Sequence, residues 1–535
     1  MRITKIRFSS VLLIFLTSAL LFSQNKQITL DDIWSGEFRT EGMQSLHSMK
    51  NGQQYSVLNF NSEDRTSSID IYDYKTSKLV ETLLSSSNLE DIQYFQDYTF
   101  SKDESKVILT VKEQPVFRRS RLGIYYVYDF NNASLIKVSD ELVQEPTLSP
   151  DGSKIAYGYE NNLYVKDLET QNITQITKDG EKNKILNGIT DWVYEEEFSF
   201  VRAFDWNATG NKIAFIRFDE SQVPQFSMDV YGTGLYQTQQ VFKYPKAGET
   251  NSIVSLHVYN LKENKTEDVK LNKSYEDFYI PRIKWTKQPN ILSAQYMNRL
   301  QNELDLWMID TSNMTSKLVL EERDEAYVDV TFDLTFLDDH SFIWTSERDG
   351  YNHIYHYSKD GKLINQVTKG AWEVTNYYGY DSKTNRVYYQ SVENGSINRD
   401  VYSIKINGKD KQRLTKVEGT NSADFSADFS YFINTHQSAT SPPEYTLNTA
   451  ETGNVVRSIV DNDVLSQKIN DYVTSKKEFS TINVNGNDLN MWMIKPANFD
   501  ESKQYPLFMY QYSGPGSQQV ANRWNGANDY WYQHL

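Results

Sequence analysis

Three consecutive carboxylates follow an aromatic segment in the run Asp191–Phe198, which reads Asp-Trp-Val-Tyr-Glu-Glu-Glu-Phe. The aromatic and aliphatic side chains of this run favour burial, whereas the acids need water or a cation. If the apolar members are anchored in a wall, the acids face the space in front of it. A pair of anchored carboxylates in a cavity would bind an ammonium group, such as the free amino terminus of a peptide. The alternative is an ordinary solvated turn of three glutamates.

The size and charge of the chain exclude some classes of function. At 535 residues the chain is too long for one ordinary core, so we expect two or more domains. Its formal net charge of −16 argues against a nucleic-acid partner and against docking on anionic lipid. The chain has no cysteine, and its seven histidines are scattered. We therefore expect neither a metal site nor a cofactor.

The amino terminus has the pattern of a targeting segment. Basic residues among the first seven precede the apolar stretch Val11–Phe22, and small and polar residues follow. This pattern predicts a secretory signal peptide over residues 1–23, too short for a membrane span and cleaved near Ser23. We expect an exported protein of the bacterial periplasm, cell surface or medium, without a transmembrane anchor once the signal is removed.

A sequence unit that recurs about eight times predicts a β-propeller over residues 24–460. In the clearest copy, Leu148–Leu168, an Asp-Gly turn precedes the first of two strand-like segments. The copies recur at roughly 40 to 60 residues, the range expected for blades of four short strands. A weaker copy around Ile69–Tyr74 completes the eight, so seven blades is the alternative. Longer intervals such as 186–201 and 218–249 hold insertions, which in propellers often project from the binding face.

The pattern changes after Asp461, and residues 461–535 predict the entry to an α/β sheet. An Asn-Gly turn at residues 485–486 joins two strand-like segments and predicts a tight hairpin. The segment Tyr505–Tyr512 then reads as a buried apolar strand that ends at a Gly-Pro-Gly turn. We expect a second domain to begin here.

The motifs, in this order, resemble the dipeptidyl peptidase IV family of prolyl-oligopeptidase-like serine peptidases. The run Asp191–Phe198 resembles the glutamate motif of that family, and Tyr505–Pro515 resembles the start of its hydrolase domain. Further matching landmarks are Phe218–Pro224, Tyr244–Glu249 and Lys369–Val374. The resemblance covers roughly residues 30–535. It implies a mainly β fold in which the propeller is followed by the first strands of an α/β-hydrolase domain.

The resemblance implies roles for four residues. Glu196 and Glu197 match the amine-binding pair of the family, which would fix the distance from the peptide amino terminus to the cut bond. Tyr512 matches the oxyanion tyrosine, a phenol that donates to the developing alkoxide beside a backbone N–H. Arg118 matches an arginine that contacts the substrate carbonyl, and its arginine neighbours are alternatives for this role. The competing interpretation is a structural tyrosine and a solvated loop arginine.

The nucleophile of the family has no match in this sequence. It lies on a Gly-x-Ser-x-Gly elbow followed in chain order by Asp and His, and no such elbow occurs here. The short stretch after Tyr512 includes His534, which we expect to be structural. We therefore expect a fragment of a longer peptidase that is inactive alone. The alternative is a propeller kept for binding.

The function that the resemblance implies is an exported serine exopeptidase. It would release N-terminal dipeptides of Xaa-Pro or Xaa-Ala type by acyl transfer from peptides with a free amino terminus. One alternative is a prolyl tripeptidyl peptidase, and another is a non-catalytic propeller that binds peptides or a partner protein. The resemblance implies no cofactor, and it implies that the full-length form can pair as a homodimer through the hydrolase domain.

Overall fold

The computed structural model describes residues 26–512, 514 and 516–535, so the predicted signal peptide lies outside the described residues. A short helix, α1 (Leu30–Trp34), comes first. Thr29 caps it, because the Thr29 hydroxyl oxygen accepts the N–H of Asp32 at 3.1 Å. The propeller begins after this helix.

Eight antiparallel sheets follow in succession and form an eight-bladed β-propeller, so the predicted fold and the count of eight are confirmed. Each blade is built from strands adjacent in sequence, and no strand is shared between blades. The strands of the first three blades are β1 (Leu46–Ser48), β2 (Gln54–Asn61), β3 (Thr66–Asp73), β4 (Leu79–Ser85), β5 (Asp97–Phe100), β6 (Lys106–Pro115), β7 (Arg121–Asp129), β8 (Ser134–Lys137), β9 (Gln144–Leu148), β10 (Lys154–Tyr159), β11 (Asn162–Asp167) and β12 (Ile173–Gln175).

Blade four differs from the others because its innermost strand is interrupted. Two short pieces, β13 (Ile185–Asn187) and β14 (Phe204–Trp206), pair with opposite halves of one neighbouring strand. Between them the chain leaves the sheet and forms helix α2 (Trp192–Glu197). The later strands of this region are β15 (Lys212–Asp219), β16 (Gln225–Val230), β17 (Thr238–Lys243), β18 (Ile253–Asn260) and β19 (Lys265–Asp268), of which β16 and β17 form a separate hairpin.

A glycine allows the excursion that carries α2 to leave the sheet. Gly188 has a φ of +71°, and a Cβ at this position would lie 3.3 Å from Cδ1 of Leu163 in blade three. Ile189 and Arg202 form a bridge at the neck of the excursion, which brings its two ends together. The innermost strand of blade four can therefore be opened without loss of the sheet.

Blades five to eight have four strands each, and the last of these strands ends at Val460. They are β20 (Phe278–Trp285), β21 (Ile291–Asn298), β22 (Glu303–Asp310), β23 (Thr315–Arg323), β24 (Thr335–Phe336), β25 (Phe342–Ser346), β26 (His353–Tyr357), β27 (Leu363–Gln366), β28 (Val374–Asp381), β29 (Arg386–Ser391), β30 (Asp400–Lys405), β31 (Gln412–Arg413), β32 (Thr420–Phe425), β33 (Tyr431–Gln437), β34 (Glu444–Thr449) and β35 (Val455–Val460).

The ring closes by side-chain contacts between the first and last blades. Gln53 Nε2 donates to Asp428 Oδ2 at 3.4 Å, and the N–H of Ala427 donates to Ser48 Oγ at 2.8 Å. One buried cluster joins the two blades, and its members are Tyr55, Val57, Tyr74, Tyr431, Ile433 and Leu447. Closure therefore depends on packing rather than on a strand exchanged between blades.

The connections between strands fall on two opposite faces of the ring, because neighbouring strands are antiparallel. The hairpins 101–105, 149–153 and 426–430, between the first and second strands of their blades, lie on what we call the turn face. The connections from second to third strand and from blade to blade, such as 116–120 and 324–334, lie on what we call the loop face. Helix α2 contacts residues 116–120 and so belongs to the loop face.

The turn-face hairpins repeat one hydrogen-bond pattern, which explains the repeated sequence unit. In blade two the carboxylate of Asp103 accepts from Ser101 Oγ at 2.7 Å and from the N–H of Ser105 at 3.1 Å. The hydrogen bond from Ser101 is the main cause that lowers the pKa of Asp103, to about 2. Asp151 and Asp428 take the same role in blades three and eight.

The segment after the last blade consists of helix α3 (Asp463–Ile469), the hairpin of β36 (Lys477–Val484) and β37 (Asn487–Ile494), and helix α4 (Ala527–His534). The hairpin turn has a positive φ at Asn485 (53°) and Gly486 (86°), as a two-residue turn between strands requires. His534 Nδ1 lies 2.8 Å from the carbonyl oxygen of Ile28. This terminal segment packs with α1, and the buried residues that they share include Ile33, Leu465 and Tyr530.

The prediction of a buried strand over Tyr505–Tyr512 is wrong. These residues form no strand, and the side chains of Leu507, Met509 and Tyr512 are 79%, 74% and 61% exposed. A strand is stable only when neighbours pair its backbone N–H and C=O groups, and no described strand pairs with this segment. An apolar, β-prone sequence is therefore not sufficient to make a strand here.

Candidate amine-binding site

Helix α2 begins at a buried aspartate cap. Asp191 Oδ1 accepts the N–H of Tyr194 at 3.0 Å, and Asp191 Oδ2 accepts from Ser252 Oγ at 2.5 Å. Burial raises the pKa of Asp191, although these two donors oppose the shift. The cap ties the start of the helix to the residues just before β18 in blade four.

Aromatic side chains anchor the helix in a wall, as its sequence predicts. Tyr194 and Phe198 are 1% and 4% exposed. The hydroxyl oxygen of Tyr194 accepts the N–H of Ile280 in blade five at 2.8 Å. Trp192 is half-buried, and its ring centroid lies 4.3 Å from that of Tyr244. The wall is therefore built from blades four and five together.

A half-buried guanidinium holds the carboxyl end of the helix. Arg282 Nη2 donates to the carbonyl oxygen of Phe198 at 2.5 Å. The guanidinium lies 4.8 Å from the ring centroid of Phe200 and 3.9 Å from that of Phe332. Burial lowers the pKa of Arg282 to about 10, which still leaves it charged at neutral pH. A cation stabilises the carboxyl end of a helix, and nothing in the sequence identified Arg282 for this role.

The three glutamates of the run lie in three different environments. Glu195 is buried, Glu196 is half-buried and Glu197 is exposed. The run is therefore not a uniformly solvated turn. Only the second and third acids face accessible space, and these are the two that the resemblance selects.

Glu196 is held by a two-point contact with Arg118. Arg118 Nε donates to Glu196 Oε2 at 2.9 Å, and Arg118 Nη2 lies 2.8 Å from Glu196 Oε1. Arg118 belongs to residues 116–120 of blade two, whereas Glu196 belongs to blade four. The pair therefore spans blade three and joins two blades that are not neighbours.

The arginines beside Arg118 have other partners. Arg119 Nη2 donates to Ser199 Oγ at 3.1 Å. Arg121 Nη1 donates to the carbonyl oxygens of Phe117 and Ser120 at 3.1 and 2.9 Å, which holds its own loop in shape. Of these three arginines, Arg118 is the one that contacts the accessible glutamates.

The charges at this site do not balance. Arg118 neutralises Glu196, and no ion pair or hydrogen bond reaches the carboxylate of Glu197 from the described residues. Of these three side chains, the carboxylate of Glu197 is therefore the one without a counter-charge in contact. An ammonium group placed between the two carboxylates would balance it and would have acceptors on both sides.

Tyr327 is a neighbour of the site that the sequence did not reveal. It lies in the connection between β23 and β24, and its side chain is 52% exposed. Partial burial raises the pKa of Tyr327, with smaller contributions from the charges of Asp329 and Glu197. The connection that carries the phenol belongs to the loop face, as Glu197 does. No sequence signal distinguishes Tyr327 among the 37 tyrosines.

Tyr512 belongs to the segment after the last blade rather than to the propeller that carries the other predicted site residues. Its segment docks on the loop face through Asn522, whose N–H donates to the carbonyl oxygen of Ile397 at 2.8 Å. The carbonyl oxygen of Asn522 accepts from Thr420 Oγ1 at 3.0 Å. Among the described residues, no hydrogen bond or ion pair joins Tyr512 to Arg118 or to the glutamates. The structure thus brings three of the four predicted residues together.

Blade four also carries a Ser–His–Asp hydrogen-bond chain away from α2. Ser255 Oγ lies 2.7 Å from His257 Nε2, and His257 Nδ1 lies 2.9 Å from Asp268 Oδ1. The atoms connect as in a catalytic triad. However, Ser255 lies within β18 opposite Arg217, rather than on a sharp turn that exposes a nucleophile. We therefore assign these side chains to cross-strand stabilisation.

In the part of the chain that the structure describes, no group of three or more His, Asp or Glu side chains is arranged to hold a metal ion. His353 and His356 on β26 contact Thr368 Oγ1 at 3.1 Å and Ser341 Oγ at 2.9 Å instead. Among the same residues, no helix is both long enough and apolar enough to cross a membrane.

A family model matches most of the propeller. Residues 101–443 match the model described as the dipeptidyl peptidase IV (DPP IV) N-terminal region. The chain therefore belongs to the dipeptidyl peptidase IV family. The matched range contains Arg118, Glu196 and Glu197.

Individual relatives agree with this assignment. The protein of Phaeosphaeria nodorum named "Probable dipeptidyl-aminopeptidase B" is 30% identical over 481 residues, which are 83% of this chain and 53% of that protein. Dipeptidyl peptidase 4 of Trichophyton equinum is 28% identical over 454 residues, which are 81% of this chain and 58% of that protein. The crystal structure of Porphyromonas gingivalis dipeptidyl peptidase 4 is similar with a TM-score of 0.89 and 36% identity, and covers 95% of this chain and 72% of that one. The chain spans about half the length of the sequence relatives that it matches.

Proposed function

We propose that this chain is the substrate-selecting part of an exported serine exopeptidase that releases N-terminal dipeptides of Xaa-Pro or Xaa-Ala type. The observation that carries the proposal is the accessible pair Glu196 and Glu197, with Arg118 fixed on the first and the second left unpaired. Family membership and the names of the relatives support the same activity.

The geometry fits recognition of a peptide amino terminus. An ammonium that leaves water loses solvation, and two fixed carboxylates offset that loss better than one. Both carboxylates stand on α2, which is held at its cap, its wall and its carboxyl end. A rigid amine site fixes how far the peptide extends toward the nucleophile, so it sets the length of the released product.

Arg118 is suited to contact the peptide backbone as well. A guanidinium has five N–H donors, and the contact with Glu196 uses only Nε and one side of Nη2. The side chain is 69% exposed, so the remaining donors can reach a substrate carbonyl oxygen. In this scheme Arg118 positions the peptide while Glu197 provides the charge.

The chemical step would use residues 461–535 as the start of the hydrolase domain. Tyr512 would donate its hydroxyl to the oxyanion, and a serine outside the matched motifs would attack the carbonyl carbon. Export is proposed from the signal-peptide pattern of residues 1–23, with the periplasm, cell surface or medium as the destination. We propose that only the full-length form would assemble into a homodimer.

A binding experiment tests the amine site directly. Isothermal titration calorimetry would compare the tetrapeptide Ala-Pro-Ala-Gly, with a free amino terminus, against its N-acetylated form. We expect the free amine to bind at least about tenfold more tightly, because acetylation removes the charge that the carboxylates recognise. Equal affinities would overturn the proposal.

A second experiment tests the enzymatic part. The coding sequence is read beyond codon 535. An in-frame Gly-x-Ser-x-Gly motif followed by Asp and His supports a peptidase. A stop codon followed by an unrelated gene contradicts it, and peptide binding by the propeller would then be the function.

A further inference from the structure

The first glutamate of the run has no part in the proposed amine site, yet it is firmly held. Glu195 is 2% exposed. Its Oε1 accepts the backbone N–H groups of Arg119 at 2.5 Å and Ser120 at 2.9 Å. Arg119 returns the contact, because its Nε donates to the carbonyl oxygen of Glu195 at 3.2 Å. Helix α2 and residues 116–120 are therefore fastened together behind the ion pair.

We call the contacts between Glu195 and residues 116–120 the clamp. The clamp adjoins Arg118 in the chain, so it can influence where the Arg118 side chain lies. The side chain of Arg118 is 69% exposed, and an exposed ion pair is weak by itself since water competes for both partners. Residues 116–120 belong to blade two and α2 to blade four, and no shared sheet sets the distance between them. The two-point contact with Glu196 therefore depends on how the loop is held.

We propose that Glu195 is a positioning residue that keeps the Arg118 guanidinium on Glu196 and so leaves Glu197 free for the ligand ammonium. This inference rests on the proposed function of the two accessible glutamates. If the loop were released, the long side chain of Arg118 could pair with either carboxylate. It would then compete with the ligand for Glu197. Glu195 itself touches no ligand in this scheme.

The geometry indicates which substitutions keep the clamp. One oxygen, Oε1, accepts both backbone N–H groups, so Glu195→Gln offers the same acceptor at the same place. Glu195→Asp keeps the charge but withdraws the oxygen by one methylene. Glu195→Ala removes the acceptor and leaves the N–H groups of Arg119 and Ser120, the second of them buried, without this partner.

Calorimetric titration of the full chain with Ala-Pro-Ala-Gly tests this role. We expect Glu195→Ala and Glu195→Asp to bind the free-amine peptide about tenfold more weakly, because Arg118 is no longer held in place. Glu195→Gln should bind within about threefold of the parent. Asp428→Ala is the matched control: it removes a carboxylate that accepts a backbone N–H on the turn face, so it should lower stability and leave the affinity unchanged. Thermal melting verifies that each variant is folded. If Glu195→Ala does not fold, the affinity of Glu195→Asp tests the proposal.

A double-mutant cycle separates positioning from a general structural effect. In an Arg118→Ala background, Glu195→Ala should weaken binding by less than about twofold, since both act through one contact. A further tenfold loss in that background would contradict the proposal. Parental affinity in both Glu195→Ala and Glu195→Asp would contradict it as well.

The proposed function and this inference can fail separately. If the parent binds the free and acetylated peptides equally, the proposed function is wrong and the role of Glu195 is wrong with it. If the parent discriminates between them and the Glu195→Ala and Glu195→Asp variants discriminate equally well, only the role of Glu195 is wrong.

Discussion

The two faces of the propeller place the same kind of residue in opposite environments. On the turn face, carboxylates are surrounded by donors: hydrogen bonds from Ser101 and Ser105 lower the pKa of Asp103 to about 2. On the loop face, the carboxyl group of Glu220 is buried: burial, with the nearby charge of Asp191, raises its pKa to about 7. Hydrogen bonding sets the direction of the pKa shift at Asp103, and desolvation sets it at Glu220.

This difference indicates that the turn face stabilises the fold and that the loop face is suited to bind a ligand. The turn face repeats a hairpin whose charges are satisfied by neighbours within the same turn. The loop face carries the interrupted strand of blade four, the half-buried cation Arg282 and the carboxylate of Glu197, which has no partner among the described residues. Groups that folding leaves unbalanced are concentrated where a ligand could balance them, as is common for functional sites.

The largest effect that we expect comes from removing both accessible acids of the loop face. Glu196→Ala combined with Glu197→Ala should weaken binding of Ala-Pro-Ala-Gly by about 100-fold or more, because two charge-assisted contacts are lost. Calorimetry measures it. The matched control is Asp338→Ala combined with Asp360→Ala, which removes the same charge from two exposed acids in the turns after β24 and β26, away from α2. A comparable loss in the control would show that net charge, not the site, determines affinity.

The next effect separates binding from chemistry on the loop face. In a complete enzyme, Tyr512→Phe should lower kcat by about 100-fold, because an oxyanion donor is removed. Peptide affinity should change by less than about twofold, since no described contact joins Tyr512 to the amine site. Steady-state kinetics on an Xaa-Pro substrate, together with calorimetry on this chain, test both parts. A large loss of affinity would place Tyr512 in the binding site instead.

The third prediction uses the raised pKa of Glu220. The folded state holds the proton up to about pH 7, whereas the unfolded carboxyl has an ordinary value of 4.5. Stability from this group is therefore full below pH 4.5 and is lost as the pH rises through 7, by up to about 3 kcal/mol. Glu220→Gln imitates the protonated form, so it should raise the melting temperature at pH 8 and change it little at pH 5. Equal shifts at both pH values would contradict the assignment.

The smallest effect concerns the turn face. Asp428→Ala removes the acceptor for Ser430 in its own turn and for Gln53 of blade one, a contact that helps to close the ring. It should lower the free energy of unfolding by about 1–2 kcal/mol. Asp103→Ala removes the acceptor in a similar turn but no ring-closing contact, so it should lower the free energy of unfolding by less. Denaturant unfolding measures both. A larger cost at Asp103 would mean that turn chemistry, rather than ring closure, limits stability.

The sequence alone predicted the propeller, with eight blades and seven as the alternative, and it singled out the run Asp191–Phe198. These features are local: each blade repeats its own turn residues and strand pattern, so they can be read without knowing which parts of the chain meet. The hairpin at Asn485 and Gly486 was predictable for the same reason. The strand predicted at Tyr505–Tyr512 does not form, because a strand also needs pairing partners, which local sequence does not specify.

The differences between the three glutamates arise from contacts that form only in the folded ring. Their types and spacing are identical in the sequence, yet Glu195 clamps a loop from blade two, Glu196 holds Arg118 and Glu197 stays exposed. Arg282, which donates to the carboxyl end of the helix, comes from blade five. Tyr327, whose pKa the charge of Glu197 helps to raise, comes from the connection that follows this blade. These contacts join residues distant in sequence, and the closed ring of blades is what places them around one short helix.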